Sequence, residues 1–290
     1  MINVLFIGDV VGFSGFKFLC ENLNDLKEKY NTNFIVVNGE NICNGKGITE
    51  REANILLDME VNVITTGNHI WDNWVSKRLM KNNNFVIRPY NYPPGNVGRG
   101  YIVVTHPELE VDIAVMQLQG RTFMPPIDCP FRAADHILTN LKKNKTEIII
   151  VDFHAEATSE KVSMGIYLDG KVSAVIGTHT HIQTADAQIL PKGTAYITDV
   201  GMSGSFDSVL GLRKDVSLNR HIYQIAHKYE PATENNKISG AIISIDKESG
   251  RALSIDNFIF PELNRTNNQE LSEQNSEHTI HQEDDLLDEN

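Results

Sequence analysis

The sequence predicts an α/β fold, a sheet of parallel strands covered by helices on both sides, and three features carry that expectation. Short apolar runs alternate with amphipathic stretches from Asn3 to Ile87. The runs are continuously apolar, as strands buried on both faces require. Each ends in glycine and polar residues, where an open α/β sheet places its binding crevice.

The elements follow in order. Asn3-Val4-Leu5-Phe6-Ile7 is a buried-type strand. Phe16, Leu19, Leu23, Leu26 and Tyr30 recur at helical spacing and predict a helix over 16–30. Phe34-Ile35-Val36-Val37 is the second strand. Thr49 to Met59 predicts a helix opened by a capping box between Thr49 and Glu52. Val61 to Thr65 is the third strand, Trp71 to Met80 a helix, and Phe85-Val86-Ile87 an extended segment. Strand–helix–strand repetition at this period gives βαβ units. Later strands are Ile148 to Phe153, Ala174 to Ile176 and Ala195 to Thr198. Tyr167 to Val172 predicts a hairpin, because Asp169-Gly170 suits a type I′ turn. Ala241 to Asp246 and Leu253 to Phe258 predict a closing β pair. The proline-rich stretch over about 90–141 breaks the alternation and reads as a cap subdomain.

Composition sets bounds on function. The chain has 290 residues, 41% of them hydrophobic, enough for a sizeable core. Its 26 basic and 38 acidic residues leave a net charge of −12, which argues against general nucleic-acid binding. The segment 265–290 carries −7 of that charge, is rich in Asn, Gln and Ser, and reads as a disordered acidic tail behind one folded body over 1–264. Three cysteines without C-x-x-C spacing suit a reducing cytoplasm. No run approaches the roughly 18 apolar residues of a membrane helix. The first residues lack a basic start, and Asp9 interrupts their apolar stretch, so no signal peptide is expected.

Chemistry gathers at the strand ends. The first strand runs into Gly8-Asp9-Val10-Val11-Gly12, the second into Asn38-Gly39-Glu40-Asn41, the third into Gly67-Asn68-His69. Two later strands run into His154 and into Gly177-Thr178-His179-Thr180-His181. Singly, each has a bland reading: Gly-Asp and Asn-Gly are ordinary turn chemistry, and a lone histidine is commonly a hydrogen-bonded core residue. Together they aim two carboxylates, two amides and four imidazoles at one rim. Such a mixed N/O set suits first-row divalent metals, and with more candidate ligands than one ion takes, it suits two.

This order of motifs resembles the calcineurin-like metallophosphoesterase superfamily. Thr66-Gly67-Asn68-His69-Ile70-Trp71-Asp72, Gly120-Arg121-Thr122-Phe123-Met124 and Thr198-Asp199-Val200-Gly201-Met202, with the first two strand-end motifs, resemble its YmdB branch. The likeness spans the body and leaves out the tail. Val11 stands where the superfamily usually has histidine, and Gly39-Glu40 where it has Gly-Asp; the branch shares both changes. The resemblance implies a four-layer α/β/β/α sandwich and two divalent ions, iron or manganese. It implies that Asp9, Glu40, Asn41 and His181 hold one ion. Glu40, Asn68, His154 and His179 would hold the other, with Glu40 bridging, and His69 would be the catalytic histidine. The implied reaction is hydrolysis of cyclic nucleotides, 2′,3′-cyclic monophosphates above all, by a metal-bridging hydroxide. Two divalent cations set against Asp9, Glu40 and that hydroxide leave about one positive charge, which suits a phosphodiester.

Four further residues are candidates for substrate contact, each with a structural alternative. Lys46 reads as a phosphate neighbour or an exposed loop residue, and Arg121 with Phe123 as a nucleotide clamp, with a buried structural arginine as the alternative for Arg121. Ser203 reads as a substrate contact or the closure of a turn. His106, His136, His221 and His227 read as structural or surface residues, and His278 and His281 as solvated. The partner expected is a small cyclic nucleotide, with no membrane; a homo-oligomer is left open. Two rivals stand beside the phosphodiesterase: a phosphomonoesterase acting on nucleotides or phosphoproteins, and a metal-stabilised regulatory module that works by binding.

Overall fold

A computed structural model describes residues 1–226 and 228–263. The acidic tail expected over 265–290 lies outside them, as do His227, His278 and His281. Met1–Ile259 is one compact unit, and a second begins at Phe260.

β1 (Ile2–Ile7) is buried at every position, as its unbroken apolar run requires. β2 (Asp9–Val10) is a two-residue strand directly beyond it. α1 (Gly12–Lys29) buries the predicted stripe of Phe16, Leu19, Leu23 and Leu26. It starts before that stripe, and a Cβ at Gly15 would lie 2.6 Å from the Ser203 carbonyl oxygen, so the opening glycines serve close packing. β3 (Phe34–Asn38) and β4 (Val63–Thr65) flank α2 (Glu50–Asp58), where the Thr49 amide donates to the Glu52 carboxylate at 3.2 Å as the capping box predicts.

The helix expected over 71–80 is corrected. The chain makes a 3-10 turn at Asn68–Trp71 and only later α3 (Ser76–Asn82). The Asn73 side chain captures the Val75 amide at 3.1 Å, a local bond that competes with helix propagation. Phe85-Val86-Ile87 is extended but forms only isolated bridges.

The cap expectation is also corrected. The 90–141 stretch supplies β5 (Tyr101–His106), β6 (Val111–Gln119) and α4 (Pro130–Lys143), and β6 pairs along β7 (Ile148–His154). The prolines sit in the connections and at the first position of α4, where a missing N–H costs nothing. The predicted hairpin over 167–172 is absent. Tyr167 and Leu168 end α5 (Thr158–Leu168), and Gly170, at φ +77°, turns the chain towards β8 (Ala174–Thr178). Burial of Met164 and Leu168 in the core favours helix over the local turn signal. β9 (Gln188–Ile189), β10 (Ala195–Ile197), β11 (Met202–Ser205), α6 (Lys214–Tyr223), β12 (Asn236–Ile245) and β13 (Ala252–Phe260) complete the fold, and the last two pair as expected.

Two sheets result. One has the order β2-β11-β12-β1-β3-β4, with β13 on β12; the other runs β5-β6-β7-β8-β10-β9. They pack face to face through Val4, Phe6, Val36 and Ile243 against Val115, Ile150, Ile176 and Ile197. α1 covers the first sheet at β11 and β12, and α4 and α5 cover the outer face of the second. The architecture is the expected four-layer α/β/β/α sandwich. The parallel strands of each sheet carry their carboxyl-terminal loops to a common rim.

Candidate metal centre

From the first sheet come Asp9 on β2, Glu40 and Asn41 just beyond β3, and Asn68 and His69 beyond β4. From the second come His154 at the end of β7 and His179 and His181 beyond β8. The two sets converge. His154 Nε2 lies 2.8 Å from Glu40 Oε2, 3.1 Å from Asn68 Oδ1 and 3.0 Å from His179 Nδ1. Asp9 Oδ2 accepts the His179 amide at 3.1 Å, and Glu40 Oε1 accepts the His69 amide at 3.1 Å. Ligand atoms of Glu40, His154 and His179 lie within 4.8 Å of one another.

The hydrogen bonds around the cluster decide which atoms are left facing it. The Thr178 hydroxyl donates to Asp152 at 2.7 Å, so its oxygen accepts from His154 Nδ1 at 2.9 Å. Asp152 is itself held by the Asn38 amide at 3.0 Å. His179 Nε2 lies 3.0 Å from the Glu156 carboxylate, and His181 Nδ1 donates to the Leu210 carbonyl at 3.0 Å. Each of the three rings thus has one nitrogen beside an acceptor and the other left for a ligand, the arrangement of a metal-binding histidine. The Asn41 amide nitrogen donates to the Gly45 carbonyl at 2.9 Å and leaves its oxygen without a partner. Asn41 Oδ1, Asp9 Oδ1 and Glu40 Oε2 are all buried without a hydrogen bond, the last despite its approach to His154. Buried oxygens left unsatisfied are costly unless something positive meets them. A Cβ at Gly67 would stand 1.5 Å from Glu40 Oε2 and 2.4 Å from His154 Nε2, so only glycine keeps that space open. The donor set fits divalent metal ions.

Charge agrees. Burial pushes the Glu40 carboxyl up, but His154, His69 and His179 outweigh it and bring it to about 2. Burial pulls His154 down, yet Glu40 and Asp9 raise it to about 9. Burial and the neighbouring His154 drive His179 down to about 2, and burial raises Asp9 and takes Asp152 to about 7. Without metal, the cluster therefore carries a proton on His154 at neutral pH, facing the oxygens a cation would take.

Beside the cluster is a hollow of about 620 Å³, lined on its far side by Lys46, Leu210, Arg220, His221 and Tyr229. His69 borders it, with Nδ1 2.9 Å from Asp72, a carboxylate that also binds Lys46 at 2.9 Å. Three of the candidate substrate contacts lie outside that hollow. Ser203 is fully buried on β11, where its hydroxyl donates to the Ser239 carbonyl and accepts the Ser239 amide. Arg121 lines a separate hollow beside Glu160, whose carboxylate accepts the Arg121 amide. Phe123 is 88% exposed and borders neither hollow. His106 is structural, bonded to the Asn33 carbonyl and the Leu109 amide, and His221, read as structural or surface, is exposed on the wall of the larger hollow. Asp152 and Glu156 were not among the candidates. Each lies two residues from His154, and for Asp152, on the same strand, that spacing means the same face.

The sequence profile of YmdB-like proteins matches residues 5–258. The chain belongs to the YmdB-like family. A Bacillus subtilis relative named 2′,3′-cyclic-nucleotide 2′-phosphodiesterase is 44% identical over 260 residues, covering 89% of this chain and 97% of its own. A hypothetical protein from Thermus thermophilus superposes with a TM-score of 0.83 at 37% identity, over 90% of this chain and all of its own. A structure described as a novel phosphatase from Mycoplasma pneumoniae gives 0.83 at 32%, over 89% and 93%. This YmdB-like chain therefore spans nearly the whole length of those relatives.

Proposed function

We propose that this protein hydrolyses cyclic nucleotides, 2′,3′-cyclic nucleoside monophosphates foremost, with two divalent ions, iron or manganese, in the cytoplasm. The observation that carries the reading is the convergence of Glu40, His154 and His179, whose ligand atoms lie within 4.8 Å of one another, beside buried oxygens of Asp9, Glu40 and Asn41 that have no hydrogen bond. Asp9, Glu40, Asn41 and His181 would hold one ion and Glu40, Asn68, His154 and His179 the other. Bound there, the ions would supply Lewis acidity towards the phosphate and towards water. The substrate named for the Bacillus relative supports the phosphodiester, and the free cysteines suit the compartment. Among the described residues no helix is long and apolar enough to cross a membrane.

The chain's own residues do the rest. Asp72 accepts from His69 Nδ1 and so leaves Nε2 free to act on the leaving oxygen. Lys46, tied to the same carboxylate, fixes Asp72 in turn. Leu210 and Tyr229 offer apolar surface to a base in the hollow.

Metal analysis of purified protein beside a substrate panel tests the reading. Two ions per chain and faster turnover of 2′,3′-cyclic AMP than of a 5′-nucleotide are expected. A preference for the 5′-nucleotide would make the protein a phosphomonoesterase, and metal-free protein of full activity would overturn the centre.

A further inference from the structure

Lys161 is fully buried on α5, beneath the loop that carries His179 and His181. Its ammonium donates to Asp199 Oδ2 at 2.5 Å and to the Thr178 carbonyl at 2.6 Å. Asp199, also fully buried, accepts the Thr180 amide on that same oxygen at 3.0 Å and the Gly201 amide on the other at 2.8 Å. The peptide groups on both sides of His179 are therefore pinned by one ion pair. Between the pins His179 takes φ +100°, and His181 takes φ +65°. A β-carbon disfavours both conformations, so a free loop would relax away from them. An apolar pair of the same volume would fill the space at lower desolvation cost, but it could bind neither peptide group.

We propose that Lys161 and Asp199 are a positioning pair that holds the Thr178–His181 loop in ligand geometry before metal arrives. The pair touches neither metal nor substrate; it acts through the backbone of His179. This rests on the metal centre proposed above.

The test uses the full chain stripped of metal and titrated with Mn²⁺ against a competing chelator. Lys161→Met removes the Thr178 pin. Lys161→Met/Asp199→Asn removes it as well, avoids stranding a buried carboxylate, and keeps an acceptor for the Thr180 amide. In folded variants Mn²⁺ affinity should fall on the order of 10–100-fold, the loss typical of a removed outer partner. The rise in Tm on adding Mn²⁺ should shrink, and saturating Mn²⁺ should restore much of the turnover. Wild-type Mn²⁺ affinity in a folded variant with a lowered metal-free Tm would make the pair structural and overturn the proposal. A measurement on the unaltered protein tests it without any variant. The Thr180 amide should exchange with solvent as slowly without Mn²⁺ as with it, and rapid exchange in the metal-free protein would overturn a preformed loop. Wild-type protein that binds no Mn²⁺ would instead sink the metal centre itself.

Discussion

His69 and Asn68 are neighbours in sequence with different surroundings. Asn68 Oδ1 is 3.1 Å from His154 Nε2, inside the cluster, while the His69 ring bonds to Asp72 and borders the hollow. His69→Ala should keep both metals, checked by elemental analysis, and lose about 10²–10⁴ in kcat. The loss should be smaller on a nitrophenyl phosphodiester, whose leaving group departs without a proton; loss of metal would move His69 into the ligand set. The eight residues gathered here were legible because each stands beside a strand end, a pattern that survives errors in helix boundaries. Asp152, Glu156, Thr178 and Lys161 were not, since their importance lies in which atom they bond to, and that depends on contacts across the fold. Arg121 and Phe123 do not line the hollow beside the cluster, because a family motif fixes residue types, not the surface they face.

At the scale of elements, the turn leaving β4 is the most tightly constrained. A Cβ on Gly67 would overlap Glu40 Oε2, which cannot move without dragging the His69 amide. Gly67→Ala should destabilise the fold by an overpacking cost of about 1–3 kcal/mol, lower Tm and empty the centre, read by calorimetry and metal analysis. Full metal content in this variant would show that Glu40 has room to shift. Continuous apolar runs mark burial directly and reveal β1, β3, β4, β7, β8 and β10, whereas β5 and β6 are masked by the prolines around them and β2, β9 and β11 are too short to signal. Helix limits were read less well. α1 begins at glycines that carry no apolar signal, the 71–80 helix is cut by the Asn73 side chain, and an Asp-Gly turn signal was outweighed by the packing of α5.

For the whole molecule, the buried ionisable groups tie stability to pH. His154 is raised from its ordinary value to about 9, so its contribution to the metal-free fold is complete below pH 6.5 and lost as pH rises through 9. Asp152, raised to about 7, favours the fold while protonated and opposes it once ionised, so it acts in the same direction. The Tm of metal-free protein should therefore fall between pH 7 and 9. With Mn²⁺ present the trend should flatten or reverse, because metal competes with the proton on His154. A metal-free Tm that climbs over this range would mean that His154 is neutral in the fold. The ligands also come from opposite ends of the chain: Asp9 and His179, joined by a hydrogen bond, are 170 residues apart. On a ribosome adding about 5–20 residues per second, Asp9 and Glu40 wait on the order of 10–30 s for their partners to emerge. Until then the nascent chain holds the two carboxylates without His154, His179 and His181, a poor trap for a divalent ion. On the reading proposed above, metal would be acquired late in the life of each molecule, once folding has brought these residues together.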